Sequence, residues 1–419
     1  MKFLRLALLM LVISLLGIFT SGTASATTIT VNSVSGADYT TIQAAIDAAN
    51  PGDTIEVQAG TYNGQARINK DVTITSTTGD YATGGVIIDP NGASYVEPTY
   101  SQTIASAVTF ETGSTGASLV GVTIQNTGTS SNTPNSGIEI VDGSIDNVLI
   151  DSVKVDGVNG NGFGSYHPDH TWPPPNGWVI DNSSFSTSTG GTWSGMKPEN
   201  MCNLTIQNCQ VGPTNYGGIL MVQADGAIVQ NNQVHDTQLA GIQIDAYCTN
   251  AINILRNEVW NINLSDTASY SDIRLYSTQE NPHANTPATI TVENNILRDG
   301  FIGIYVKSGD LTTRTAVTIT KNSITGHSNS SIANDATTGV LNASANCLGS
   351  LDEDVVFSTI VNPNTVDFTP LLSSTDADVG TPGFQPDLTP TASVKAHALG
   401  QQVGDPDRIN EAVGLAPSS

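Results

Sequence analysis

The sequence predicts an all-β chain wound as a right-handed parallel β-helix solenoid, with a short capping helix at its N-terminal end. Three observations carry this. A segment of alternating apolar and polar residues recurs along most of the chain at steps near 25 residues. Gly, Asn, Ser, Thr and β-branched residues abound, while helix-forming stretches are scarce. Near residue 42 the apolar spacing switches once, from period two to that of a helix.

Residues 1–26 read as a secretory leader. Lys2 and Arg5 make a positive start, Leu6 to Phe19 an apolar run, and Ala24-Ser25-Ala26 a small-residue cleavage site. The run is short for a membrane span. The expected location is therefore secreted or at the cell surface. The net charge is −24, and the leader holds two of only 14 basic residues. A chain this acidic repels nucleic acid and anionic membranes, which excludes both as partners. The four cysteines, Cys202, Cys209, Cys248 and Cys347, form no Cys-x-x-Cys pair. Export permits disulfides, but small buried thiols are the expectation.

The parallel β-helix is expected over 27–345. Its repeats include Val122-Thr-Ile-Gln-Asn126, Val148-Leu-Ile-Asp-Ser152, Leu204-Thr-Ile-Gln-Asn208 and Ile290-Thr-Val-Glu-Asn294. Taking the last apolar residue before the Asn or Ser gives Ile124, Ile150, Ile180, Ile206, Val229, Ile254, Val292 and Ile319. The steps are 26, 30, 26, 23, 25, 38 and 27. A period in this range means a stacked array, and strict alternation means strands. Such coils stack about 4.8 Å apart. Inward Ile, Val and Leu then make one core, and Asn beside Asn in successive coils can bond side chain to side chain at the corners. The Leu-x-x-Leu-x-Leu pattern of a leucine-rich repeat is absent.

Ile42, Ala45, Ile46 and Ala49 share one helical face, and Pro51-Gly52 stops that helix. Strand Thr54–Val57 and the turn Gly60-Thr61-Tyr62 follow. Terminal repeats of a solenoid need capping, and the helix is placed to provide it. This segment resembles the start of pectin-lyase-like β-helix proteins, including pectin methylesterases, and the resemblance extends through the coils to about Ala345. It implies the fold. The methylesterase signatures Gln-Asp-Thr-Leu and Asp-Phe-Ile-Phe-Gly are missing, as is the Asn-Thr-Asp, Asp-Asp and Arg-Ile-Lys set of polygalacturonases.

Residues 346–378 are expected to be a closing coil. Asn342 to Ser350 and Val366 to Leu372 resemble the end of bacterial and archaeal surface β-helices, although Cys347 and Leu348 stand where that family has two tryptophans. Residues 379–419 read as a linker and the start of a further module. Arg408-Ile-Asn-Glu-Ala-Val echoes Thr41-Ile-Gln-Ala-Ala-Ile, as a piece of a longer surface protein would. A short C-terminal cap helix with the same pattern is the other reading.

A second strand recurs after the Asn turns: Gly137 to Val141, Gly195 to Glu199, Gly218 to Val222, Gly241 to Asp245, Asp272 to Tyr276 and Gly303 to Lys307. Alternation sends the Ile, Met or Leu inward. The outward columns then read Glu139, Lys197, Leu220, Gln243, Arg274, Tyr305 and Val141, Glu199, Val222, Asp245, Tyr276, Lys307. Three of the twelve basic residues beyond the leader fall on this strip. Asp245 should neighbour Tyr276, Tyr276 should neighbour Lys307, and Arg274 should lie beside Tyr305.

The strip resembles the substrate groove of pectate and alginate lyases. The resemblance implies Lys197, Arg274 or Lys307 as base or carboxyl clamp, Tyr276 or Tyr305 as acid, and Glu199 and Asp245 as ligands of Ca²⁺, which favours carboxylate oxygens. Gln243 would contact substrate. Hydrolysis by the pair Glu199 and Asp245 is the other chemistry, and epimerisation a further one. An insertion from Gly160 to Asn176 carries Tyr166, His167, Asp169, His170 and Trp172, with Trp178 and Trp193 after it. Aromatic faces here suit sugar rings, and loops on a rigid scaffold often bind. Tyr166, Trp172 and Trp193 are the substrate-binding candidates, and the His-Asp-His group a weaker metal candidate. His235 and His283 read as solvent-exposed.

Two functions fit. One is an exported enzyme on a polysaccharide, foremost a lyase of uronate-containing chains. The other is a non-catalytic surface or adhesive module. A solvated face cross-linked by ion pairs, each worth at most ~1 kcal/mol, is the structural alternative.

Overall fold

The computed structural model describes residues 25–97, 101–125, 135–165, 174–187, 191–246, 250–263, 270–276, 288–307, 315–336, 339–388, 394–395 and 408–415. Residues 1–24, most of the expected leader, lie outside these, as do Tyr166, His167, Asp169, His170, Trp172, Cys248 and His283. No helix among the described residues is long and apolar enough to cross a membrane.

The chain is mostly strand and coils into a solenoid. Each turn contributes in order to three parallel sheets, here A, B and C. Sheet A runs from Thr28–Val31 through Cys202–Gln207, Ile252–Leu255 and Thr315–Thr320 to Val366–Asp367. Sheet B holds ten strands among the described residues, from Gly60–Asn63 to Ser323–Thr325. Sheet C runs from Ala66–Ile68 to Ile360–Val361. Strand Ile219–Gln230 serves two sheets: its first half pairs in C and its second in A. Helix Ile42–Ala48 lies between the first two sheet A strands. Thr41 Oγ1 caps it by accepting from Ala44 N, and Ile42, Ala45 and Ile46 are buried in the solenoid core.

Inward side chains form one continuous core. Its largest member is Trp178, which sits edge-on to Phe110 with ring centroids 5.1 Å apart and donates from Nε1 to Ile145 O at 2.7 Å. Trp178 is therefore a core residue and offers no face to a sugar. A buried indole needs a partner for its N–H, and the carbonyl of the preceding coil supplies it.

The corner between sheets A and B uses two adjacent columns. The first takes positive φ at Ser152, Asn182, Asn208, Asn231, Arg256, Asn294 and Lys321. Asn enters the left-handed region more easily than most residues. The next column points inward, and there Asn232, Asn257, Asn295, Asn322 and Asn346 stack as a buried ladder. Each Oδ1 after the first accepts both the backbone N–H and the side-chain amide of the preceding Asn, at 2.8–3.0 Å. Each Nδ2 also donates to the carbonyl of the coil before, as Asn295 does to Ile254 O at 3.0 Å. The expected Asn-to-Asn bonding is thus carried mainly by the residue after the marked Asn.

Three further expectations change. Ile124 pairs with Val155 in sheet B, and Leu119 takes the sheet A place opposite Ile150. Gly121 (φ 71°) turns the corner there, so Val122-Thr-Ile follows the corner, although its text matches a strand that precedes one. Phe163–Ser165 is a sheet C strand between Ile138–Ile140 and Met196–Lys197. The insertion therefore begins after it, and the outward column gains Gly164 between Glu139 and Lys197. His235 is 9% exposed, stacked on Trp260 at 4.7 Å and bonded through Nδ1 to Asp236 at 2.8 Å. It is packed, not solvated.

Cys209 and Cys347 are buried and Cys202 is half-buried, all as free thiols. Segment 376–384 returns along the A–B corner, where Phe384 N and O bond Asn294 at 2.8 Å each. Phe384 joins Ala345, Cys347 and Leu372 in a small cluster against which Leu415, from helix Arg408–Leu415, also packs.

Candidate functional site

The outer face of sheet C brings the candidate residues onto one flank. Their inward neighbours Met196, Ile219, Ile242, Ile244, Ile273, Leu275, Ile304 and Val306 all lie in the core. The register is Gln243 opposite Arg274, Arg274 opposite Tyr305, Asp245 opposite Tyr276, and Tyr276 opposite Lys307. Lys197 follows Gly164, and Glu199 bridges to Val222, which precedes Asp245. From Lys197 to Arg274 is three strand steps, about 14 Å at the usual spacing.

The register depends on a glycine column at the entry to most of these strands. A Cβ on Gly218 would come 2.4 Å from Val234 Cγ1 and 2.6 Å from Gly241 O, and Gly195, Gly241 and Gly303 are as tight. Asp272 takes this place in one coil. Its carboxylate bonds His327 Nε2 at 2.8 Å, both side chains are enclosed, and burial pushes Asp272 up to about 6.

The flank is more enclosed than alternation implies. Arg274, Gln243 and Tyr305 are 6–8% exposed, and Glu139 only 2%. Side chains stacked about 4.8 Å apart screen one another, and residues from the corners fold over them. Arg274 donates from Nη1 to Gln243 Oε1 at 2.8 Å, and its guanidinium lies 4.8 Å from the centre of the Tyr270 ring. Gln243 donates in turn to Asp245 Oδ1 at 3.1 Å. Tyr216 contacts Tyr270 and lies near Arg274 and Asp245. Burial pushes Asp245 up to about 6, against the pull of Gln243, Arg274 and Lys197. Tyr305 donates to Asp335, and burial, with Asp335 adding to it, pushes the phenol up to about 12. It is protonated at neutral pH.

Lys197 Nζ meets Glu199 Oε1 at 2.6 Å, with 39% of the lysine side chain exposed. Lys307 is partly exposed, and Trp193 is half-buried at the turn leading into Met196–Lys197. The side chain of Tyr276 is outside the described set. Glu199 and Asp245 lie two strand steps apart with Val222 between them, and Glu199 already holds Lys197. Alone they supply only part of the six to eight oxygens calcium takes. Among the described residues no group of three or more His, Cys, Asp or Glu could hold a metal ion.

The flank extends further than the sequence columns indicated. Toward the N-terminus the outward column continues from Glu139 to Thr109 and Arg67. Arg67 grips Glu111 through two bonds of 2.7 and 3.0 Å and lies 3.9 Å from the Tyr95 ring centre. Arg67, Glu111, Tyr95, Tyr216 and Tyr270 escape sequence reasoning. The first coils lack the Gly-Ile-x-Ile pattern, Tyr216 and Tyr270 come from corners with no repeat, and Tyr95 comes from an antiparallel hairpin outside the coils' three sheets. Glu139 is in the sequence column, but nothing in the text marks it as enclosed.

A family model described as the right handed beta helix region matches residues 106–283. The structure of XylC with xylose aligns over 77% of this chain and 71% of that one, at 10% identity and a TM-score of 0.51. Pectate lyase Pel9A aligns over 85% and 84%, at 13% identity and a TM-score of 0.45. Polygalacturonase from Erwinia carotovora ssp. carotovora aligns over 83% and 99%, at 11% identity and a TM-score of 0.44. No curated protein matches. At such identities the likeness is one of fold.

Proposed function

We propose, from the premise of a pectin-lyase-like right-handed parallel β-helix, that this protein acts outside the cell and binds an acidic polysaccharide along the outer face of sheet C. The observation that carries this is the register of sheet C. In a chain of charge −24 with 14 basic residues, it sets Arg67, Lys197, Arg274 and Lys307 on one flank. Their coils step at about 4.8 Å, a spacing on the scale of one sugar unit. Enclosed amides and tyrosines between the cations suit sugar hydroxyls, and the cations suit uronate carboxylates.

The reaction that fits such a face is elimination. A lysine, Lys197 or Lys307, takes the proton beside the uronate carboxyl. The electrons form the carbon–carbon double bond, the glycosidic C–O bond breaks, and a tyrosine such as Tyr276 protonates the leaving oxygen. Arg274, fixed by Gln243, holds the carboxylate and makes the proton more acidic. Calcium, if used, would be held by Glu199 and Asp245 only together with carboxylates of the glycan.

The bonds Lys197–Glu199 and Arg274–Gln243 favour a second reading, in which the flank binds without reacting, as a surface module does. An assay over a panel of polyuronates with and without calcium separates the two. New ultraviolet absorbance from unsaturated uronate ends means elimination. Binding without it means the module. Neither binding nor absorbance with any acidic glycan ends the proposal.

A further inference from the structure

Glu139 is the most enclosed carboxyl on the flank, and its position is unusual. Its sheet C neighbours are Thr109 on one side and Gly164 on the other. A Cβ on Gly164 would sit 3.2 Å from Glu139 Oε2 and 2.8 Å from Ser136 Oγ. The carboxyl therefore lies in the notch left by the missing side chain, and beyond Gly164 the next residue in the column is Lys197. Ser106 Oγ is 3.5 Å away. The charged groups facing it are Lys197 and Glu199, with the Arg67–Glu111 pair and Tyr95 beyond Thr109.

We propose that Glu139 is a positioning residue for Lys197. Kept as a carboxylic acid over Gly164, it leaves Lys197 to Glu199 alone and the middle of the flank neutral, and on ionising it draws Lys197 inward and leaves that stretch net anionic. The proton balance is simple: one proton goes to solvent and the trio Glu139, Lys197, Glu199 changes from zero to −1. Burial pushes the Glu139 carboxyl up to about 8, with Glu199 assisting and Ser136, Lys197 and Ser106 opposing. This rests on reading sheet C as the face for an acidic glycan, and gives that face an alkaline limit.

The test uses the full chain labelled with carbon-13 at glutamate carboxyls. One signal should titrate near 8, vanish in Glu139→Gln and move in both Lys197→Met and Gly164→Ala. Glu139→Asp gives a second assignment should the Gln variant fold poorly. With polygalacturonate as probe, affinity should fall roughly tenfold between pH 7 and pH 9, as one added like charge predicts, and stay level in Glu139→Gln. Asp245, at about 6, titrates outside that window. A Glu139 signal in the ordinary carboxylate range, or one indifferent to Lys197→Met, overturns the proposal. Absence of polygalacturonate binding at every pH tells against the acidic-glycan reading and leaves the titration to decide the role of Glu139.

Discussion

At the scale of single residues, enclosure changes what the side chains do. Glu139, Asp245, Arg274 and Tyr305 point outward from sheet C, yet each is held by neighbours. Glu139 has a consequence for stability. Its folded pKa is raised, from the usual 4.5 to about 8, so the folded state binds the proton more tightly than the unfolded chain. That contribution is complete below about 4.5 and is lost as pH rises through about 8. Urea unfolding should show wild type losing stability across this window and Glu139→Gln losing less. Parallel curves for the two proteins would mean that the carboxyl is not held neutral. Sequence supplies Glu139 only as a column member. Its enclosure depends on Gly164, Ser136 and Ser106, which a period-two pattern cannot weigh.

At the scale of elements, two columns set the register. The Asn ladder from Asn232 to Asn346 fills the A–B corner, and the glycines from Gly137 to Gly303 open the corner before sheet C. Asn295→Ala would strip the acceptor from Asn257 N and Nδ2 and the donor from Ile254 O. Buried groups left without partners cost ~1–3 kcal/mol each, so denaturant unfolding should register a loss of roughly 3 kcal/mol. A loss no larger than that of an exposed Asn, such as Asn364→Ala, would deny the ladder its role. Gly218→Ala should also destabilise, because its Cβ lands against Val234 and Gly241 O.

These columns explain which parts of the fold can be read in advance. Gly-Ile-x-Ile recurs with one phase, so the pairing of Gln243, Arg274 and Tyr305 is legible. Val-Thr-Ile-Gln-Asn reads alike on either side of the A–B corner, so Ile124 is placed one strand early and Leu119 is passed over. Phe163-Gly164-Ser165 lacks the second aliphatic residue of the pattern, and that coil is missed.

At the scale of the whole molecule, the outer faces of sheets B and C differ in chemistry. On sheet B the outward column His235, Trp260, Arg298 is internally stacked, with Arg298 5.0 Å from the Trp260 ring centre and paired with Glu258 at 2.8 Å. Sheet C carries cations interleaved with carboxylates, amides and tyrosines over a long run of coils. Binding of a polyanion there should weaken as salt rises, since exposed charges are screened within about 10 Å at 0.1 M ionic strength.

Hydroxyl-radical footprinting of the protein with and without polygalacturonate tests the location of that face most directly. Protection should fall on sheet C, at Tyr216, Tyr270, Trp193 and Lys307, and leave Trp260 and His235 on sheet B unchanged. Protection centred on Trp260, or an identical pattern with and without the glycan, would contradict the assignment of sheet C.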